Sequence, residues 1–253
     1  MLTSSLPTSE ITVTRAGWRG WFALAVLMLP VLLVSVDNTV LSFALPEIAL
    51  SLQPSSIEQL WIIDVYPLVL AGLLVTMGTL GDRFGRRRML LIGATGFAAV
   101  SALSAFAPTA ALLIAGRALM GVFGAMLMPS TLSLLRSIFR DRDQRRIAIA
   151  VWASGFSAGA ALGPIVGGFL LEHFTWGSVF LMAVPVLVPL LILAPFFVPE
   201  SRDPHPGRFD PVSVLLSLAT MVPIVYGIKK LAVDGPLSLA PVLFVVGVVF
   251  GWL

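Results

Sequence analysis

Long apolar runs alternate with short polar segments along the whole chain. Short clusters of charge, Pro and Gly separate the runs. Each run is close to 20 residues or longer, about the length a helix needs to cross a bilayer core of about 30 Å. The seven predicted spans, numbered in chain order, are residues 21–45, 60–80, 89–107, 110–135, 147–171, 180–198 and 212–228. The pattern predicts an all-α membrane protein that contacts the lipid bilayer throughout.

The two ends of the chain need separate interpretation. Span 1 follows Arg15 and Arg19, as the apolar region of a signal peptide would, but its length of about 25 residues favours a retained helix. A last apolar run begins at Leu239 and has about 15 residues when the chain stops at Leu253, fewer than a span requires. We therefore expect an eighth helix that is cut short.

Composition excludes several classes of protein. With 58% hydrophobic and 11% charged residues, no stretch remains for a separate soluble catalytic domain. The net charge of +3 does not indicate a nucleic-acid partner, because the basic residues form short clusters between apolar runs. The absence of cysteine excludes disulfides and thiolate metal sites.

The basic residues predict an orientation, because cytoplasmic loops retain positive charge. The loops 46–56, 108–109 and 172–177 contain no Lys or Arg. Lys229 and Lys230 run against the rule and are interpreted as snorkelling ends of span 7. Thirteen of the 16 basic residues share the other side: Arg15, Arg19, Arg83, Arg86, Arg87, Arg88, Arg136, Arg140, Arg142, Arg145, Arg146, Arg202 and Arg208. A multi-pass protein of the inner (plasma) membrane with a cytoplasmic amino terminus is expected.

The same clusters of charge, Pro and Gly divide the chain into four regions. We expect a cytoplasmic tail over residues 1–20, a six-helix bundle over 21–198, a Pro-containing cytoplasmic linker over 199–211, and span 7 with the truncated eighth helix over 212–253.

Three ionisable residues lie inside the spans, where charge is costly. Asp37, Asp64 and Arg117 fall at similar depth in the outer half of the bilayer, which permits one shared, water-accessible cavity. Each carboxylate alternatively hydrogen-bonds a neighbouring helix, and Arg117 alternatively forms a fixed ion pair. Trp61 shares a helical face with Asp64 and suits a lipophilic cation, or else belongs to an interfacial aromatic belt.

The polar segment between spans 2 and 3 carries the most specific motif. Residues 78–90 read GTLGDRFGRRRML. This order resembles the signature loop of the major facilitator superfamily, at Gly78, Leu80, Asp82, Arg83, Gly85, Arg86 and Arg87. The resemblance implies a cytoplasmic latch that changes partners as a transporter alternates its access.

Two further segments resemble motifs of that family. Residues 112–125, LLIAGRALMGVFGA, resemble its second motif, whose arginine is linked to proton coupling and corresponds to Arg117. Residues 159–168, GAALGPIVGG, resemble the motif typical of its antiporters and so imply export. The matching residues in this segment are Gly159, Gly163, Pro164, Gly167 and Gly168. Close packing against another helix explains the four-residue glycine spacing equally well.

Residues 35–46 and 61–72 resemble helices 1 and 2 of the 14-helix drug:proton antiporters within the superfamily. The resemblance implies the superfamily fold, with part of the two extra helices after the first six. It also implies that Asp37 and Asp64 act in coupling and in recognition of lipophilic cations such as drugs, dyes or biocides, in a cavity lined by helices 1, 2, 4 and 5. Protons and the missing C-terminal half of the transporter are the other implied partners, and no cofactor is expected.

Alternative functions stay open at this point. A dedicated exporter of an endogenous antibiotic, siderophore or other metabolite would share every motif. A non-transporting structural or sensory membrane protein is the alternative from another class. A membrane-embedded enzyme is not supported, since no HExxH, nucleophile with a base, or phosphate-binding loop is visible.

Overall fold

The computed structural model describes residues 15–203 and, beyond them, residues 216, 219–228, 242, 245–246 and 248–249. This part of the chain is built from helices. The helices are α1 (Trp18–Leu52), α2 (Ser56–Phe84), α3 (Arg86–Ser104), α4 (Ala110–Ile138), α5 (Arg142–His173), α6 (Ser178–Leu181) and α7 (Ala183–Phe197). A further helical stretch covers Ala219–Ile228.

Polar side chains begin three of the long helices. Ser55 and Glu58 form a capping box at the start of α2, in which each side chain accepts from the other residue's backbone amide. Thr109 accepts from the amide of Leu112 at the start of α4, and Asp141 caps α5 in the same way. These caps satisfy amides that an uncapped helix would leave without partners.

The helices differ from the predicted spans at several ends, and two of these differences lie at prolines. Span 1 was expected to end before Pro46, but α1 continues through Pro46 to Leu52, since a proline removes one backbone hydrogen bond without ending a helix that is packed along its length. Span 6 was expected to be continuous, but Met182 separates α6 from α7. Pro185, in the first turn of α7, has no amide to offer the carbonyl of Leu181.

The helices pack in a definite order around a common apolar core. α4 packs against α2 on one side and α3 on the other, α5 runs along α1, and α7 contacts both α1 and α3. Fully buried core residues include Leu27, Ile62, Phe97, Leu113 and Leu187. The buried residues of α5 are Ala148 and four glycines.

The outer surface is apolar. Leu50 is 80% exposed and Val75 is 75% exposed, which a water-soluble surface would tolerate poorly at this density. Five helical passes within the described residues are long and apolar enough to cross a membrane: α1, α2, α4, α5 and the α6–α7 pass. The remaining pass, α3, begins with three consecutive arginines and is less apolar. The chain is a multi-pass membrane protein.

One end of the bundle, called here the basic end, gathers the start of α1, the α2–α3 and α4–α5 connections and the end of α7. Gln144 exchanges two hydrogen bonds with the backbone of Ala16, at 2.8 and 3.2 Å. Trp18 packs edge-on against Phe197. The predicted basic clusters therefore meet at one end. Lys229, Lys230 and Arg208 and most of the last apolar run, like residues 1–14 and 204–211, lie outside the described residues.

Candidate functional site

Arg117 of α4 and Asp37 of α1 form a buried ion pair. The guanidinium Nη1 lies 2.6 Å from the carboxylate Oδ2, and the two side chains are 1% and 6% exposed. Burying both charges carries a large desolvation cost, which the short contact offsets only while both partners stay charged. Two of the three intramembrane charges predicted from the sequence thus lie in direct contact.

Two groups of α2 complete the surroundings of Arg117. Its Nε donates to the backbone carbonyl of Ile62 at 3.1 Å. The guanidinium carbon lies 4.5 Å from the centre of the Tyr66 ring, within cation–π range. Tyr66 is fully buried and packs edge-on against Phe97 of α3. Arg117 therefore connects α4 to both α1 and α2.

Small residues on α4 allow α2 to lie close to Arg117. Gly121 and Gly124 lie one and two turns from Arg117 on the same helical face. A side chain at Gly121 would come within 2.8 Å of the Tyr66 carbonyl, and one at Gly124 within 3.3 Å of the Tyr66 ring. The glycines of the second motif thus bring the α2 backbone within reach of the guanidinium.

Asp64 does not join this pair. It lies on α2 about 180° around the axis from the face that carries Ile62 and Tyr66, and it is half-buried. Trp61, on the same side of α2 as Asp64, stacks on Tyr226 of the Ala219–Ile228 helix with ring centres 5.8 Å apart. Similar depth in the membrane therefore does not bring all three charges into one contact.

A cavity of about 430 Å³ lies between α1, α2, α4 and α5. These are the four helices expected to line a substrate cavity. The lining residues are Val34, Asn38, Pro67, Leu70, Leu74, Met128, Pro129, Leu132, Ser133, Trp152 and Phe156. Most of this surface is apolar, with an aromatic pair, Trp152 and Phe156, packed edge-on at 5.2 Å. Asn38, which directly follows Asp37 in α1, is one of the lining residues, whereas Asp37 and Arg117 are buried and do not line the cavity.

The glycines of α5 form its contact with α1. A side chain at Gly159 would come within 2.5 Å of Ser35, and one at Gly163 would overlap Thr39. Ser35 also donates to the Phe156 carbonyl at 2.5 Å. Gly167 packs on Val40. Pro164 and Gly168 of the same motif are exposed, and α5 continues through the proline.

The α2–α3 loop turns sharply at the basic end. Gly85 has a φ of 112°, a conformation that side chains disfavour. Arg86 pairs with Asp82 through contacts of 2.7 and 2.8 Å, and the side chain of Arg83 is exposed. Gly78 lies further up α2, where it packs at ordinary distance on Pro129.

This loop is bound to the segment that follows α7. Glu200 accepts a hydrogen bond from the Arg87 amide at 3.0 Å, and Arg87 donates to the carbonyls of Pro195 and Val198. The Arg86 amide donates to the Ser201 carbonyl, and the Asp203 amide to that of Asp82, both at 3.0 Å. We call this set of contacts the loop clasp.

Sequence reasoning missed Tyr66 and Glu200. Glu200 had a detectable signal, since it is the first acidic residue after span 6 and was predicted to lie on the same side as the arginine cluster. Tyr66 had no such signal in the sequence, because its contact with Arg117 depends on how α2 and α4 are rotated about their axes. Within the described residues, no group of acidic, His or Cys side chains is arranged to hold a metal ion.

Comparison with solved structures shows the fold. A crystal structure of a peptide transporter, the E310Q mutant of POT with sulfate, superposes with a TM-score of 0.64 at 18% identity. The match covers 87% of this chain and 54% of the transporter.

Several curated proteins are more similar to this chain in sequence than the peptide transporter is. The multidrug efflux pump LfrA of Mycolicibacterium smegmatis is 66% identical over 240 residues, 95% of this chain and 48% of the pump. The methyl viologen resistance protein SmvA of Salmonella typhimurium is 40% identical over 88% of this chain and 45% of its own length. The tetracenomycin C resistance and export protein of Streptomyces glaucescens is 35% identical over 88% of this chain and 42% of its own length. The chain thus spans about half the length of these relatives. Residues 27–253 match the sequence profile of the Major Facilitator Superfamily, and the chain belongs to that family.

Proposed function

We propose that this chain is the N-terminal part of a proton-coupled antiporter that exports lipophilic, cationic compounds such as drugs, dyes or biocides. The observation that carries the proposal is the buried Asp37–Arg117 pair beside an apolar, aromatic cavity. The names of the relatives, a multidrug efflux pump and a methyl viologen resistance protein, support the same substrate class.

The ion pair supplies a means of coupling. With Asp37 ionised, the pair has no net charge, and a cation in the cavity meets no repulsion from it. When Asp37 takes up a proton, Arg117 keeps its charge and the pair becomes cationic. Two like charges about 8 Å apart repel by about 2 kcal/mol at an effective dielectric constant of about 20, or about thirtyfold in affinity. Proton binding and cation binding therefore oppose each other, as antiport requires.

The cavity suits the proposed substrates. Its lining includes two aromatic side chains and several aliphatic ones, and its polar side chains, Asn38 and Ser133, are neutral. Such a surface binds planar apolar cations by stacking and burial of apolar area rather than by directed hydrogen bonds. Several related compounds would then be accepted.

We assign Asp64 and Trp61 a different role from Asp37. They share a face of α2 away from Arg117, where a carboxylate and an indole side by side would attract an aromatic cation. Their task in this proposal is recognition of the cation rather than proton exchange.

The loop clasp would serve as the conformational latch. Asp82, Arg86 and Arg87 are hydrogen-bonded to the segment after α7, and Gly85 lies close to Glu200 in it, so a movement of that segment must alter these contacts. Transport needs the second half present in the full-length relatives, because alternating access moves one half of the transporter against the other. We place the protein in the inner (plasma) membrane with its basic end and amino terminus in the cytoplasm.

A dedicated exporter of one endogenous metabolite is the second candidate. The similarity to the tetracenomycin C resistance and export protein favours it. It predicts efflux of a single compound class, whereas the first proposal predicts efflux of chemically different cations.

The test is energised efflux of ethidium and of a quaternary ammonium compound from cells that express the complete gene. We expect efflux that a protonophore abolishes. Asp37→Asn should abolish it while the protein still reaches the membrane, and Glu172→Gln, at an exposed carboxylate near the end of α5, is the control. Wild-type efflux by Asp37→Asn would refute the role of Asp37, and retention of every cation tested would refute multidrug export.

A further inference from the structure

The largely apolar wall of the cavity carries the side-chain amide of Asn38. This residue lies in the interior of α1, is exposed and lines the cavity. Asparagine is a poorer helix former than leucine or alanine, and an amide in apolar surroundings costs free energy unless its hydrogen bonds are made. The position is thus an unfavourable one for asparagine on structural grounds alone.

Two contacts fix the rotation of α1 at this level. Asp37 is held by Arg117 of α4, and Thr39 lies against Gly163 of α5. Successive residues of a helix are about 100° apart around its axis, so Asn38 faces the direction between these two contacts. The cavity lies in that direction, which explains why Asn38 is part of its wall while Asp37 is not.

A hydrogen bond within α1 orients the Asn38 amide. Its nitrogen Nδ2 donates to the backbone carbonyl of Val34 at 2.8 Å. Because a carbonyl oxygen only accepts, the nitrogen and not the oxygen must lie on this side. The backbone amide of Asn38 already supplies the helical hydrogen bond to that carbonyl, so the side-chain bond orients the amide more than it stabilises α1. Among the described residues, nothing donates to the Asn38 oxygen Oδ1.

We propose that Asn38 is a specificity-determining residue, whose Oδ1 accepts a hydrogen bond from an N–H group of the exported cation. The inference rests on the proposed function and adds one directed contact to a cavity that otherwise binds by stacking. Amines conjugated with a cationic aromatic ring are strong donors, because they share its positive charge. The cavity therefore favours cations that carry such amines over cations of the same shape without an N–H group.

The nearby polar side chains are less suited to this contact. Asp37 and Arg117 are engaged with each other and do not line the cavity. The Thr39 hydroxyl donates to the Val36 carbonyl on the face that packs against α5. Ser133 lines the cavity, but its hydroxyl rotates freely and gives its oxygen no fixed direction. Among the described lining residues, Asn38 has the acceptor that is oriented in advance.

The test compares the binding of two acridinium dyes to the purified, full-length transporter. Both are planar cations with a methylated ring nitrogen. One bears two primary amines, whereas the other bears dimethylamino groups at the same positions and has no N–H to donate. The measured quantity is the affinity for the primary-amine dye divided by the affinity for the dimethylamino dye.

Asn38→Leu should lower this ratio about fivefold to tenfold, the usual effect of one hydrogen bond, because only the primary-amine dye loses a contact. Asn38→Ala removes the same oxygen without adding volume and should lower the ratio equally, even if the leucine variant folds poorly. Gln59→Leu is the matched control. It also replaces an amide that donates to a backbone carbonyl, that of Pro54, but it lies outside the cavity wall and should keep the wild-type ratio.

The outcomes distinguish this inference from the proposed function. A wild-type ratio in Asn38→Ala, or an equal fall of the ratio in Gln59→Leu, would overturn the role of Asn38 while leaving cation export intact. A wild-type transporter that binds neither dye would refute the proposed function and this inference with it.

Discussion

Gly163 of α5 lies directly against Thr39 of α1, with no space for even a methyl group between them. A Cβ at position 163 would overlap the Thr39 hydroxyl and lie 2.8 Å from the Thr39 Cβ. Thr39 is two residues from Asp37, so this contact sets the position of α1 next to the ion pair. Gly168, five residues further along α5, has nothing within 4 Å of the equivalent point.

Gly163→Ala is therefore expected to destabilise the protein by about 1–3 kcal/mol, the usual cost of overpacking, and to lower efflux. Gly168→Ala is the matched control and should leave both unchanged. Thermal unfolding of the purified full-length protein and ethidium efflux measure the difference. Equal behaviour of the two alanine variants would contradict the packing role of Gly163.

Glu200→Ala is expected to loosen the loop clasp. The variant loses the acceptor for the amides of Arg87 and Ser201 and a carboxylate 3.9 Å from the Arg87 side chain. Hydrogen bonds to a charged group contribute about 1.5–3 kcal/mol, so we expect efflux to fall about tenfold. Ethidium affinity should stay constant, because the cavity is distant from the clasp.

The exposed carboxylate of Glu172, at the other end of the bundle, provides the control. Glu172→Ala should transport like the wild type. If Glu200→Ala also transports normally, the clasp has no part in the transport cycle.

Asp64→Asn distinguishes the role of Asp64 from that of Asp37. Because Asp64 lies on the face of α2 away from Arg117, its neutralisation should weaken ethidium binding by about tenfold and leave the pH midpoint of binding unchanged. Asp37→Asn should instead remove the pH dependence. Titrations of both variants test this assignment, and a shifted midpoint in Asp64→Asn would place both acids in one coupled site.

Phe156→Ala is expected to weaken the binding of aromatic cations by about tenfold, since the variant removes one member of the aromatic pair in the cavity. Phe156 is a better target than Trp152, whose indole nitrogen also donates to Thr131 at 3.2 Å. Phe169→Ala, on the same helix but 58% exposed outside the cavity, is the control. Binding that both variants retain equally would exclude this cavity as the site for the cation.

The positions of the helices were predictable from the sequence. Every predicted span from 21–45 to 180–198 corresponds to helix in the structure, because each depends on a local run of apolar residues. The ends were less predictable. Pro46 lies inside α1 and Pro185 accompanies a break, and the chemistry of proline alone does not distinguish the two cases.

At the candidate site, too, some features followed from the sequence and others depended on the tertiary structure. The sequence by itself determined which charges lie in the membrane and at what depth, since charge in an apolar run is conspicuous and helical rise converts position into height. Only the tertiary structure decided that Arg117 contacts Asp37 and Tyr66 while Asp64 points elsewhere. The reason is physical: rotation of each helix about its axis depends on how distant small residues, such as Gly121 and Gly163, let neighbouring backbones approach, and no local pattern records that fit.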